Sequence, residues 1–584
     1  MRPRRLRRLI TASIIAVVLL AAVAVLYVGV RAVQAREYLA AAADAAAQAS
    51  ALLAGGDVDG AETAIAAMTD HAARVDVGAD PVWRLAETVP GAGANLAAVR
   101  IVSDGLAHLG GDTAVPLLSV ARELRGVDSA RAIEVLAASV DDLAGADDAV
   151  GAVRDELAGL DRSALIPEVS GGVDTLDRVL AEAGPLTEGA AEAAALLPPL
   201  LGIDEPRTVL VAVQNTAELR TGGGITGTFI QLDAEGGRVA VTGIRDSSSF
   251  APVAEPLLPL RAGEQRSFGD GIGRFVQDAS MTADFTLTAR LASTWWESAT
   301  GVVPDAVVSV DPLVMAAVLR VTGSVDSIAG TLTADDIVDR LLVTPYLSST
   351  PEEQSDQFAD AATAVFTALV ERADVLGLAE SLRAPLAEGR VSLWSARPAE
   401  QEIISRSALA GPLARQEQAG DDAFAVYFND ATGGKLTPYL SVGLGVATTT
   451  CRPDGREDVS IAVDLGSALP TDAATAFPVS VTGGGLFGAA VGDIAPTVTV
   501  VTPPGWLPGG VSLDGDLVAS VAVEDGERLA VTRRTDLAPG RSRTLVFRFI
   551  APDGGDVEPV LIHTPLLTEP GAARVAAAEP CASS

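Results

Sequence analysis

The longest apolar run in the chain is Leu9 to Val30, 22 residues without a charged side chain. At 1.5 Å per residue a helix of that length spans about 33 Å, enough to cross a hydrocarbon core of ~30 Å. The preceding residues carry Arg2, Arg4, Arg5, Arg7 and Arg8 and no acid, whereas Arg31, Arg36 and Glu37 follow. This pattern predicts a transmembrane helix over 9–30, with residues 1–8 in the cytoplasm and everything beyond residue 30 outside the plasma membrane. A cleaved signal peptide is the other reading. Its apolar region would be about 7–15 residues long, with small residues such as Ala22, Ala24 or Ala35 near the cleavage point. Both readings export the body. No other stretch reaches 18 uninterrupted apolar residues.

Residues 31–203 are Ala-rich with helical spacing; Val173, Leu176, Val179 and Leu180 mark one face. Gly55-Gly56, Gly110-Gly111 and Gly171-Gly172 punctuate the pattern and Pro198-Pro199 closes it. The expectation is an α-helical stalk or bundle. Pro81 to Arg100 interrupts the alanines, and Trp83 with the Pro90-Gly91 turn suggests a packed corner.

The texture changes near Asp204. Thr208–Val213 reads as a strand, and Gly227–Asp233 and Gly237–Ile244 read as a hairpin joined at Glu235-Gly236-Gly237. A helix fits Phe285–Ser298 and a strand Ala306–Val310. Asp311 and Pro312 then open a helix that Gly323 ends. Thr333 with Asp336 resembles a capping box, and Phe358, Val365, Phe366 and Leu369 mark the face of a further helix. Strands near Val391–Trp394 and Phe424–Phe428 complete a central α/β domain over 204–436. After Leu436 only short β-like runs recur between Gly, Pro and Asp turns: Leu440–Thr450, Val459–Leu465, Thr497–Val501, Val518–Val523, Leu529–Thr532 and Arg543–Ile550. They predict an all-β, Ig-like sandwich over 437–584.

A formal net charge of −34 excludes partners that need a basic face; without the five leading arginines the remainder carries −34 − 5 = −39. Such a surface repels nucleic acid and anionic headgroups and attracts cations weakly and diffusely. Lys435 is the sole lysine, a bias that GC-rich codon usage accounts for. The length suits two to four domains. Cys451 and Cys581 lie in the exported part, where a disulfide is the leading reading and two free thiols the other. A bridge would close a loop of 581 − 451 = 130 residues. In the chain-entropy model it would contribute roughly 4–5 kcal/mol. His71, His108 and His563 are too scattered for a Cys/His zinc site or a His-dependent triad.

Candidate chemistry concentrates in two clusters. Gln214–Phe229, QNTAELRTGGGITGTF, follows a strand and sets Gly222, Gly223, Gly224 and Gly227 beside Glu218 and Arg220. Glycines there would let backbone amides approach an anion; a tight strand-to-strand turn explains them equally well. Gly222 and Gly227 have P-loop spacing, but Thr228 stands where lysine is required, which excludes a nucleotide P-loop. The second cluster is Gly243–Phe250, GIRDSSSF. Its Arg245 could grip phosphate and its Asp246 a divalent cation, or the two form a solvated loop pair. Asp284 reads as a helix cap before a ligand, Asp311 as a structural cap, and Trp295-Trp296 as core before a carbohydrate platform.

The stretches QNTAELRTGGGITGTF, Ala283–Pro312, Val321–Val325, Val426–Leu440 and Pro81–Arg100 together resemble the domain-of-unknown-function 4012 family. Its members are bacterial envelope proteins with one N-terminal span and no established activity. The order of elements is also similar to the LytR-CpsA-Psr phosphotransferases, which move glycopolymers from a polyprenyl-pyrophosphate carrier to the cell wall using Arg, Asp and a divalent cation. That second resemblance implies catalytic roles for Arg220, Arg245 and Asp246, with Gly222–Gly224 as a phosphate-binding loop. Glu218 and Asp246 would hold Mg²⁺ or another divalent cation. The sequence departs from that pattern: no Pro precedes Arg245, and only Arg340 stands where an Arg-x-Arg motif is expected. Two functional expectations follow. One is an exported phosphotransferase-like protein acting on polyprenyl-linked glycopolymer or exopolysaccharide; the other is a non-catalytic envelope scaffold or binding module.

Overall fold

A computed structural model of the chain describes residues 3–54, 57–449 and 452–573. Cys451, Cys581 and the Gly55-Gly56 break lie outside the described residues, as does the disulfide expected between the cysteines. Residues 3–127 and 131–198 form one compact unit, and residues 128–130 and 199 onward form the other.

The first unit is helical: α1 (Pro3–Ala54), α2 (Val58–Ala73), α3 (Pro81–Ala86), α4 (Gly93–His108), α5 (Val115–Glu123), α6 (Ser129–Ala138), α7 (Val140–Ala158) and α8 (Pro167–Leu200). The predicted span is part of α1, which runs on for 52 residues. From Ser13 to Val30 its side chains are exposed apart from the half-exposed Ala24 and Val28. Beyond Val28 a buried stripe begins, with Ala32, Ala35, Leu39, Ala42, Ala45 and Ala49 turned inward at helical spacing. The helix therefore changes surroundings at Val28–Arg31, where the uncharged run stops. Small alanines on α1 and Ala61, Ala64 and Ala72 on α2 let the two backbones approach closely.

The glycine pair at 171–172 lies inside α8, and Gly110-Gly111 lies in a π-helical turn, Leu109–Ala114, that continues α4 into α5. Pro198-Pro199 falls in the last turn of α8. Val173, Leu176 and Leu180 pack inward as the spacing predicts, whereas Val179 stays exposed.

The second unit opens with the sheet order β3-β2-β1-β4-β7, in which β1 is Arg207–Asn215, β2 Ile225–Glu235, β3 Arg238–Asp246, β4 Ala306–Val310 and β7 Ser392–Ser395. A small hairpin pairs β5 (Val325–Ser327) with β6 (Gly330–Leu332). Strands β1 and β4 run parallel and the other neighbours in the main sheet antiparallel. Gly236 (φ 57°) and Gly237 (φ 77°) both take the left-handed conformation that a two-residue hairpin turn between twisted strands requires.

Short α9 (Ala262–Phe268) and α10 (Gly271–Arg274) lead to α11 (Phe285–Thr300). Helix α11 covers one face of the main sheet, with Trp295 and Trp296 against Leu210, Phe229 and Val307. The other face carries α12 (Pro312–Thr322), α13 (Ile337–Leu342), α14 (Thr344–Ser348) and α15 (Pro351–Arg372), where Met315 and Val365 meet Val211 and Ile230. Asp284 and Asp311 cap α11 and α12 by accepting from the Leu287 amide at 3.2 Å and the Leu313 and Val314 amides at 2.9 and 3.0 Å. Thr333 and Asp336 form the reciprocal cap expected before α13.

The remaining strands build two sheets around one core. One has the order β14-β15-β11-β8-β17 and the other β13-β12-β16-β10-β9-β18. Their ranges are β8 Ala423–Asp430, β9 Leu440–Thr449, β10 Asp458–Ser467, β11 Pro496–Val501, β12 Leu507–Leu513, β13 Asp516–Val518, β14 Val521–Asp525, β15 Arg528–Arg534, β16 Ser542–Ile550, β17 Val560–His563 and β18 Gly571–Ala572. The Phe424–Phe428 strand, read from sequence with the α/β domain, pairs instead with β11 and β17. Alternate residues of β10, Val459, Ile461, Val463 and Leu465, point into the core against Phe424, Val426 and Phe428. The last two strands run parallel to their neighbours, β17 on β8 and β18 on β9, so residues 560–572 edge first one sheet and then the other.

Candidate functional site

The β1–β2 connection, residues 216–224, holds the first sequence cluster. Leu219 at its centre is buried in the core of the two-sheet region. Its carbonyl accepts from the Asp430 amide at 2.8 Å, and the Ala217 carbonyl accepts from the Thr437 amide at 3.1 Å. Thr221 adds three further ties: its hydroxyl donates to the Met281 carbonyl at 2.6 Å and accepts from Asn429 Nδ2 at 3.0 Å, and its carbonyl accepts from Thr564 Oγ1 at 3.1 Å. A loop springing from the α/β sheet is thus a plug in the neighbouring β region.

Glu218 and Arg220, two residues apart, flank that plug and meet each other. Arg220 Nη2 donates to Glu218 Oε1 at 2.8 Å, and the Lys435 ammonium bonds Glu218 Oε2. Arg220 also lies 3.7 Å from Asp278 Oδ1 and donates to the Leu219 and Asp430 carbonyls. Glu218 and Arg220 are buried and Lys435 nearly so. Burial alone would push the Glu218 carboxyl up; Lys435 and Arg220 outweigh it and hold the group below its ordinary range. Asp278 and Asp430 go the other way. Burial raises both, Glu218 adds repulsion, and Arg220 offsets only part. Tyr346 closes one side: its hydroxyl meets Asn215 Nδ2, and its ring centroid is 5.8 Å from Lys435 Nζ. Burial raises its hydroxyl, with Glu218 and Asp246 adding to the rise.

The glycines serve the turn. The Gly223 amide donates to the Arg220 carbonyl at 2.8 Å and the Gly224 amide to Gln214 Oε1 at 3.2 Å, so neither is free to cradle an anion. Gly223 has φ 126°, and a Cβ on Gly224 would come within 2.4 Å of the Asn215 carbonyl carbon. Glycine is required at both positions by shape.

Arg245 and Asp246 do not join this cluster as a pair. They are neighbours on β3, so their side chains leave opposite faces of the sheet. Arg245 reaches the Ala299 carbonyl at 3.5 Å, at the end of α11. Asp246 accepts from the Ser248 amide at 2.8 Å, capping the Ser247–Ser249 turn, and from Ser355 Oγ on α15 at 3.2 Å. Catalytic roles shared by Arg220, Arg245 and Asp246 would need one cleft, and the fold directs Arg245 away from it.

The donor set also does not suit the expected Mg²⁺. Both oxygens of Glu218 are taken by cations, and both of Asp246 by an amide and a hydroxyl. Among the described residues no group of three His, Cys, Asp or Glu converges on one point.

Sequence reasoning missed Lys435. The signal was present, because a lone lysine among 42 basic residues is an outlier, and codon bias explains its rarity without saying where it sits. Residues 204–346 match the model of a family described as "Protein of unknown function (DUF4012)". The matched stretch runs from β1 through Tyr346 and contains Glu218, Arg220, Arg245 and Asp246 but not Lys435. No curated protein matches the chain.

Proposed function

With residues 204–346 belonging to the DUF4012 family, to which no activity is assigned, we propose that the chain is a membrane-anchored, extracytoplasmic scaffold of the cell envelope that binds a partner and performs no catalysis of its own. In this reading residues 1–8 are cytoplasmic, α1 crosses the membrane, and the two-sheet region is an Ig-like binding module held at a fixed angle to the α/β region. The observation that carries it is the closed state of Glu218. A carboxylate bonded on one oxygen by Arg220 and on the other by Lys435 has no oxygen left for a metal, and it holds both cations in contacts within the protein. A buried pair of this kind fixes geometry. The Leu219 plug beside it supplies the apolar half of the same joint.

The competing reading, transfer of a polyprenyl-linked glycopolymer, needs arginines gathered around a pyrophosphate to neutralise developing charge. The test is a titration of the detergent-solubilised full chain with a polyprenyl phosphate, with and without Mg²⁺. No saturable binding is expected. Saturable binding that Arg245→Ala abolishes would establish the transferase reading in its place. Topology is tested separately, by a reporter fused behind residue 584 that is active only outside the cytoplasm.

A further inference from the structure

The helical unit turns two loops toward the membrane end of α1, and their exposed tips are apolar. Helix α1 leaves its largely exposed stretch at Val28–Arg31. At that level Tyr27 donates to Asp80 Oδ2 at 2.6 Å, and Arg31 Nη2 donates to the Val75 and Asp76 carbonyls at 3.0 and 2.6 Å. Tyrosine and arginine are the residues that mark a bilayer–water boundary.

The direction of the other helices follows from their packing. Helix α2 descends along α1: Ile65 and Met68 meet Ala42–Ala49, while Val75 and Val77 beyond its end meet Val28 and Ala35. Trp83 of α3 is buried in that lower cluster, and its indole donates to the Leu96 carbonyl at 3.1 Å. Helix α4 ascends, with Leu96 and Val99 low beside Val28 and Leu106 higher beside Leu39 and Ala42. The connection between α3 and α4 is therefore at the membrane end of the bundle. The α7–α8 connection reaches the same place. Asn95, in the first turn of α4, donates to the Ala164 carbonyl at 2.9 Å and accepts from the Ile166 amide at 2.8 Å.

The large apolar side chains at these tips are uncovered: Leu85 is 71% exposed, Val89 50% and Ile166 51%. Residues 88–93, TVPGAG, carry no charge. Trp83 and Leu165, next to them, are packed, so each tip pairs an inward-packed anchor with an uncovered apolar neighbour.

We infer that Leu85, Val89 and Ile166 form a lipid-contacting foot, which enters the outer interfacial layer of the bilayer beside the span. The occupant is lipid because the tips lie at the level of Tyr27 and Arg31, where the apolar stretch of α1, long enough to cross a bilayer, comes to its end. A single span alone leaves the bundle free to tilt and rotate; apolar tips at headgroup depth remove that freedom, as interfacial elements do. The inference rests on α1 being a bilayer span.

The full chain is reconstituted into phosphatidylcholine vesicles, and alkaline extraction first asks whether it is integral. Release from the vesicles defeats the span reading itself. For integral protein, Leu85→Trp is compared with the unaltered chain in vesicles brominated near the headgroup and near the bilayer centre. The added indole is expected to emit at shorter wavelength than in water and to be quenched by the shallow bromines more than by the deep ones. Water-like emission with no quenching overturns the foot and leaves the span standing. A second measurement needs no substitution: photoreactive lipids in the same vesicles should label the tryptic peptide Leu85–Arg100. Labelling confined to α1 overturns the inference.

Discussion

Glu218 with Arg220 and Asp246 with Arg245 are both acid–arginine combinations at strand ends of the same sheet, and both stand in glycine- or serine-rich sequence. They end in opposite conditions. The first pair is two residues apart in a loop folded around a buried leucine, and that spacing turns both side chains to one side, where Lys435 completes the group. The second pair is adjacent on an extended strand, and the pleat sends one side chain to each face. Spacing along the backbone thus decides whether charged residues cooperate or act locally. The first pair fixes a joint, and the second supplies one turn cap and one contact with the end of a helix.

This contrast can be broken most severely at Glu218. Glu218→Ala leaves Arg220 and Lys435 buried without their shared counter-ion and is expected to cost about 3–5 kcal/mol, read from denaturant unfolding; a loss under about 1 kcal/mol would mean that the group is effectively solvated. The pH dependence sharpens the point. The folded carboxyl of Glu218 lies below its ordinary value of 4.5. Its pairing therefore contributes stability that is complete above 4.5 and lost as pH falls through the lower folded value. Asp278 and Asp430, raised on folding, act with the opposite sign, the folded state being favoured as they protonate. The stability gap between the parent and Glu218→Gln isolates the first effect. It should narrow as pH drops below 4.5, and a gap that stays constant down to the lowest pH at which both fold would refute the assignment.

Leu219→Ala removes the plug and is expected to cost about 2–5 kcal/mol, with the thermal midpoint as the measurement. On the other side of the comparison the effects are small. Asp246→Ala loses a turn cap worth about 1 kcal/mol. Arg245→Ala should stay within about 0.5 kcal/mol of the parent; a loss as large as that at Glu218 would put Arg245 in a network the fold does not place it in.

What could be read from the sequence followed from local rules. The strands of the α/β sheet, the turn at Gly236-Gly237 and the caps at Asp284, Asp311 and Thr333 formed where alternation and capping chemistry place them. Strand β8 was legible as a strand and not as a member of its sheet. A continuously buried run such as AFAVYF carries no information about which neighbours it pairs with, and pairing with β11 and β17 is set more than 60 residues away. Gly171-Gly172 misled because a glycine in a helix costs only about 1 kcal/mol, less than the packing of Val173, Leu176 and Leu180 returns. At the site, Glu218 and Arg220 were found and Lys435 was not. An i,i+2 pair is visible in sequence, whereas a partner 217 residues on is brought in only by the fold.

Strands β17 and β18 have a consequence in time. Residues 560–572 supply one edge strand of each sheet, and Thr564 between them donates to the Thr221 carbonyl while its hydroxyl accepts from the Phe428 amide at 3.0 Å. A chain that leaves its exit channel N-terminus first can assemble α1 and the helical bundle early. Its β region stays open at two edges until some 570 residues have emerged. During that interval β8 and β9 each expose a row of unpaired amides and carbonyls that any extended strand could occupy. Completion of the β region is thus a terminal event in biogenesis, and whatever chaperones this chain has the most to protect just before residue 572 arrives.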